Sequence, residues 1–93
     1  MKRVLVPTKA FVRMARRLGR RNPQAAEDLA VAMELLAENA LHPALRSHKL
    51  KGNLAPSWAC AAGYDLRIVF QFVRHGQQDA ILLEAAGTHD EVD

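Results

Sequence analysis

The chain has 93 residues, 49% hydrophobic and 25% charged, which is room for one domain and a balance that excludes disorder along its whole length. No apolar run nears the roughly 18–20 residues a bilayer span needs; the one cysteine, Cys60, excludes an internal disulfide framework and fits a reducing cytoplasm. The net charge of +3 hides an asymmetry: residues 1–51 hold eleven Lys/Arg against four Asp/Glu, residues 52–93 two against six, which points to a polyanion, an acidic protein partner, or both.

The run Lys2-Arg3-Val4-Leu5-Val6 before Pro7 reads as a short strand. Thr8 sits where a helix N-cap belongs. Phe11, Met14, Ala15 and Leu18 recur at i, i+3, i+4, i+7 and predict a helix over 9–20, with Lys9, Arg13, Arg16, Arg17 and Arg20 on its other face. Seven basic side chains spread over residues 1–20 do not make a signal-peptide core. Gly19 and Asn22-Pro23 close that helix and open a second, Asn22 as N-cap and Pro23 at its first position. Its predicted apolar stripe is Ala26, Leu29, Ala30, Met33, Leu36, Ala37 and Ala40, and the two helices form an antiparallel hairpin.

Leu41 to Pro56 lacks periodicity and reads mostly as loop. The period then changes from 3.6 to 2: strands at Ser57–Ala62, Leu66–Val73 and Ala80–Ala86, with turns at Gly63-Tyr64 and His75-Gly76-Gln77-Gln78. In the central strand Leu66, Ile68, Phe70 and Phe72 share one face, Asp65, Arg67, Val69 and Gln71 the other. The apolar face should pack on the helices and leave the polar face for solvent or ligand. The expected class is α+β: an N-terminal strand and a helical hairpin packed on one face of a small antiparallel sheet, in the order β-α-α-β-β-β.

Three groups can carry chemistry. His48-Lys49-Leu50-Lys51 offers an imidazole and two ammonium groups before the sheet, Arg67 a guanidinium on the polar face with Asp65 two residues away, and His89 an imidazole where the last strand ends. Internal RNA cleavage needs a base for the 2′-OH proton, an acid for the 5′-oxygen leaving group, and cations on the charge that builds between. Histidine serves both proton roles near neutral pH. Each residue also has a plain structural use. His48 or His89 can satisfy backbone groups, Asp65 can cap the Gly63-Tyr64 turn, and Arg67 can pair with a carboxylate such as Glu84. The Arg stripe can be a solvated face, Trp58 and Tyr64 half-buried sheet residues, and Cys60 a small core residue. No His or Cys spacing matches a zinc site.

Taken in order, His48-Lys49-Leu50-Lys51-Gly52-Asn53-Leu54, Trp58, Gly63-Tyr64-Asp65-Leu66-Arg67-Ile68-Val69-Phe70, Ile81-Leu82-Leu83 and Gly87-Thr88-His89-Asp90-Glu91-Val92 resemble the RelE/ParE toxin superfamily of bacterial type II toxin–antitoxin systems, nearest its YafQ-like mRNA interferases. The resemblance implies a RelE-like microbial RNase fold, mRNA cleavage on the ribosome without a metal or other cofactor, a cytoplasmic location with no membrane partner, and neutralisation by a cognate antitoxin. It implies His48 and His89 as proton-transfer residues, Asp65 as a further catalytic residue, Arg67 on the scissile phosphate, and Lys49 and Lys51 in the basic loop. Arg13, Arg16, Arg17 and Arg20 would then hold RNA phosphates. The chain departs from the family pattern at Ala61, where YafQ-like members carry a histidine, and at Asp93, where an aromatic ring commonly stands. Two other outcomes stay open: a ParE-type inhibitor of DNA gyrase, which the same fold serves, and a degenerate toxin that only binds its antitoxin.

Overall fold

The computed structural model describes residues 2–92, so the expectation attached to Asp93 lies outside the described residues. The chain opens with β1, Val4–Pro7, followed by α1, Lys9–Arg21. Thr8 caps α1 as its position predicts: its hydroxyl oxygen accepts the Phe11 N–H at 3.1 Å, and its own O–H donates to the Glu84 carbonyl at 3.3 Å. One residue, Asn22, serves both helices. Its backbone N–H closes α1 on the Leu18 carbonyl, and its side-chain oxygen accepts the Gln24 N–H at 3.0 Å to start α2, Pro23–Glu38.

The buried line of α2 is Ala25, Leu29, Ala32, Leu36 and Ala37, rotated from the expected stripe at Ala26, Ala30 and Met33. With alanine around much of this helix, periodicity cannot select one face. Instead α2 meets α1 through Ala26, whose Cβ would lie 3.3 Å from a Cβ placed on Gly19. It turns Ala30, Met33 and Ala37 toward Leu5, leaving a groove of about 430 Å3 there.

After α2 the segment expected as loop contains two 3-10 turns, Pro43–Leu45 and Gly52–Leu54, and a two-residue strand β2, His48–Lys49. Leu45 is fully buried and anchors it. Then come β3 (Trp58–Ala62), β4 (Leu66–His75) and β5 (Gln78–Thr88), ending in one helical turn, α3, His89–Val92. The sheet has five strands in the order β1-β5-β4-β3-β2. It is antiparallel except that β1 runs parallel to β5, Val4 opposite Ala80 and Pro7 opposite Leu83. That pairing joins the two ends of the sequence, and the strand pattern alone does not announce it. Pro7 lacks an N–H, which suits a strand at the edge of a sheet.

The helices cover one face. Phe11, Leu29, Leu36, Leu45, Cys60, Ile68, Phe70, Ile81 and Leu83 form the centre of the core, in which burial pushes the Cys60 thiol up to about 12. Gly63, in the β3–β4 turn, has φ +62° and presses so closely on the Asp28 side chain that a Cβ would overlap it; no L side chain suits that position. Phe72 shares the core face by parity, but β4 outruns the helices and leaves it 37% exposed. Its ring instead meets Trp58 edge-on at 5.2 Å, with the Arg3 guanidinium 5.1 Å above it.

Candidate active site

On the uncovered face the registers fix which side chains are neighbours. His48 of β2 pairs with Ala59, which pairs with Val69, which pairs with Ala85. The next row on that face is Ala61, Arg67, Gly87. With strands about 4.8 Å apart and about 3.3 Å per residue, the His48 and Arg67 backbones stand roughly 12 Å apart, a gap that their two long side chains and one phosphodiester can fill. Between them lies β3, with the fully buried Ala59 opposite His48 and the half-buried Ala61 opposite Arg67. Each carries only a methyl group, so β3 itself puts no long side chain between the imidazole and the guanidinium.

His48 is exposed and oriented. Its Nδ1 lies 3.1 Å from the Arg46 carbonyl oxygen; a carbonyl can only accept, so Nδ1 carries the hydrogen and Nε2 keeps its lone pair in the neutral ring. The Arg46 carbonyl is aimed by an uncommon backbone, φ 51° and ψ 42°, the left-handed region that few non-glycine residues occupy.

Arg67 makes no ion pair with Glu84. The β4–β5 register slips by one residue between Val69 and Phe70, so that Val69 faces Ala85 while Phe70 faces Leu83, leaving Glu84 as the extra residue of a bulge. There its carboxylate accepts the Ser57 hydroxyl at 2.6 Å and the Gln71 amide at 3.1 Å. Among the described residues the Arg67 guanidinium donates to the neighbouring Leu66 carbonyl alone, at 3.1 Å, and so keeps donors for a phosphate. Asp65 is exposed in the turn rather than on β4, and no described side chain or backbone group hydrogen-bonds its carboxylate.

His89 begins α3 where β5 ends, two residues past Gly87, which stands opposite Arg67. The turn is held by a capping-box bond: the Glu91 carboxylate accepts the Thr88 N–H at 2.9 Å. That bond, seconded by the Thr88 hydroxyl and by the charges of Arg21 and Arg17, lowers the Glu91 carboxyl below its usual range.

The basic residues separate. Lys49 pairs with Trp58 on the helix side of the sheet, its Nζ 5.7 Å above the indole, away from His48 and Arg67. Lys51 precedes the Gly52–Leu54 turn and is exposed. Arg13, Arg16 and Arg20, with Lys9, line a hollow of about 490 Å3 beside Pro7 and Val12. Arg17 turns aside to a small cleft with Arg21 and Glu91. Arg46, beside Arg67 in a hollow of about 330 Å3, escaped the sequence reading although it stands only two residues before His48. Among the described residues no three His, Cys, Asp or Glu side chains gather as metal ligands do, and no described helix is long and apolar enough to cross a membrane.

A helical pair on a five-stranded, mostly antiparallel sheet, with histidine and arginine on its open face, defines the RelE-like class of α+β toxins. The family model for the bacterial toxin of type II toxin–antitoxin systems, YafQ, matches residues 3–93, and the chain belongs to that family. Among solved structures it resembles a copper-bound mutant toxin from Helicobacter pylori, at 25% identity and TM-score 0.74 over 100% of both chains. It also resembles the DinJ-YafQ toxin–antitoxin complex of E. coli, at 17% and 0.74 over 99% of this chain and 98% of that one. The YoeB/ParE toxin of Agrobacterium tumefaciens matches at 16% and 0.78, over 92% and 98%. No curated protein matches the sequence.

Proposed function

We propose that this toxin is an endoribonuclease that cleaves mRNA on the ribosome, leaving a 2′,3′-cyclic phosphate and a 5′-OH. The observation that carries the reading is the placing of an oriented imidazole, His48, and an arginine that pairs with no described carboxylate, Arg67, on either side of Ala59 and Ala61 of β3. In this reading His48 Nε2 takes the 2′-OH proton, the 2′-oxygen attacks the adjacent phosphorus, and Arg67 donates to the phosphoryl oxygens as their charge builds. His89, at the start of α3, protonates the departing 5′-oxygen. Asp65 stands at the turn beside Arg67 and Lys51 in the loop after His48, within the reach of a bound strand. Proton transfer and cationic stabilisation are the whole of this chemistry, and these side chains supply both.

The basic hollow of α1 would hold ribosomal RNA phosphates, giving a binding constant that falls steeply with salt. A cognate antitoxin completes the reading, as DinJ completes YafQ in the E. coli complex. The groove of Leu5, Ala30, Met33 and Ala37, rimmed by Lys2, Arg3 and Glu34, suits a segment that folds on binding. A ribosomal target places the toxin in the cytoplasm.

Inducing the protein and mapping mRNA 5′ ends tests the activity. New 5′-OH ends within translated regions are expected, and an Arg67→Ala, His89→Ala double variant should lose both cleavage and toxicity. Unchanged toxicity in that variant sinks the site. Inhibited gyrase supercoiling with intact mRNA replaces the reading by the ParE type, and antitoxin binding without either activity marks a degenerate toxin.

A further inference from the structure

Arg46 does two things at once. Its carbonyl fixes the His48 ring, and its side chain lines, with Arg67, one hollow of about 330 Å3. The other lining residues are Ala44, Ala61, Gly63 and Tyr64, none of which bears a carboxylate. The only ion pairs among the described residues are Lys2 with Glu38 and Arg74 with Asp79, so neither arginine is occupied by a described carboxylate. Tyr64, at the tip of the β3–β4 turn, is 99% exposed. An aromatic ring so fully in water gives up the gain of burying its faces, and a flat partner in the hollow would restore part of it.

Two unpaired guanidinium groups, a ring and a small-residue floor match the parts of one nucleotide: a phosphodiester for the cations, a base for the ring. The volume is at the lower end of small-ligand pockets. We propose that the hollow of Arg46, Ala61, Tyr64 and Arg67 is a nucleotide subsite at the cleaved bond, in which Arg46 joins Arg67 on the RNA phosphate and Tyr64 stacks on the neighbouring base. The inference rests on the ribonuclease reading and adds a place and two residues to it. Ala61 is part of it: a large side chain there would fill the space between the two arginines.

The subsite is tested on the full chain with an all-deoxy tetranucleotide, which lacks the 2′-OH and cannot be cleaved. Its addition should shift the amide resonances of Arg46, Ala61, Tyr64 and Arg67. Arg46→Asn removes the cation while keeping a residue that tolerates the left-handed backbone. It should weaken binding about tenfold and flatten the slope of log affinity against log salt by about 0.7, the value of one single-strand phosphate contact. Arg46→Lys should restore that slope, which a mere loop distortion would not allow. Tyr64→Ala should weaken binding about tenfold and Tyr64→Phe leave it intact, because stacking needs the ring and not the hydroxyl. Binding unchanged in both Arg46→Asn and Tyr64→Ala, in a protein that still cleaves mRNA, overturns the subsite and spares the activity. A wild-type protein that neither binds the oligonucleotide nor cleaves mRNA overturns the ribonuclease reading and the subsite with it.

Discussion

Arg67 stands directly opposite Gly87 in the β4–β5 ladder, so the strand beside the cation offers it no side chain. Gly87 is small for a second reason: a Cβ there would lie 3.1 Å from Glu91 Cβ and Oε1 and 3.1 Å from Val92 Cγ1. The glycine therefore lets α3 fold tightly onto the strand end and sets where His89 begins. In Gly87→Ala the turn must give by a few tenths of an ångström while the core stays untouched. A catalytic group displaced by about 1 Å can lose on the order of a hundredfold in rate. The expected outcome is an mRNA cleavage rate lowered roughly ten- to a hundredfold with the urea midpoint nearly unchanged. Equal loss of both in parallel experiments would mean that the glycine serves folding alone.

The Glu91–Thr88 bond makes α3 sensitive to acid. Glu91 has its carboxyl held below the usual 4.5, first by the Thr88 N–H, then by the Thr88 hydroxyl and the neighbouring Arg21 and Arg17. A carboxyl lowered in the folded state contributes stability that is present above its unfolded pKa and is lost as pH falls through the folded one. The cap is thus complete at neutral pH and opens only in acid, below the usual carboxylate range. Amide exchange at Thr88, corrected for its intrinsic pH dependence, should show protection that is constant through neutral pH and falls only in acid, below the usual carboxylate range. Glu91→Gln should abolish this acid step. Protection that falls at neutral pH instead would show that another group holds the turn.

The α1 arginines should not behave alike, since Arg13, Arg16 and Arg20 line one hollow and Arg17 turns toward Glu91. Each arginine on a nucleic-acid phosphate contributes about 0.7–0.9 to the slope of log affinity against log salt. Ribosome binding measured between 50 and 200 mM salt should therefore lose about one unit of slope in Arg13→Ala or Arg16→Ala. In Arg17→Ala the slope should stay, while the acid step of Glu91 moves to higher pH because a favourable charge is gone. A slope lost equally at all of these positions would place the RNA across the whole helix.

Much of this was legible in the residues themselves. Thr8, Asn22 and Pro23 fixed both helix starts because capping chemistry is local, and the alternation from Leu66 to Phe72 gave the two faces of β4 because a strand has period 2. What escaped depends on partners distant in sequence. The parallel pairing of β1 with β5 joins residues some 76 apart, and the Glu84 bulge is visible only once β4 and β5 are in register. That slip carries Glu84 to Ser57 and Gln71 and so leaves Arg67 without the ion pair its neighbourhood suggested. Lys49 was grouped with His48 by sequence proximity, and two adjacent strand residues must face opposite ways. The Thr88-His89-Asp90-Glu91 spacing is a capping box that could have announced α3.

Cys60 gives a probe of the whole fold. It is fully buried on β3 beside Ile68, and burial pushes its thiol up to about 12. At pH 8 only about one part in ten thousand of such a thiol is thiolate, against roughly a quarter for an unfolded cysteine with pKa near 8.5. Alkylation of the native protein must therefore pass through unfolding. Its rate at pH 8 should be slow in water, rise with urea in proportion to the unfolded fraction, and slow further when RNA or an antitoxin binds the folded state. Cys60→Ser, which buries a hydroxyl in this apolar layer, should cost about 1–3 kcal/mol in urea unfolding and leave mRNA cleavage by the folded protein unchanged. Fast alkylation without urea would instead reveal local opening of β3, the strand that joins His48 to Arg67.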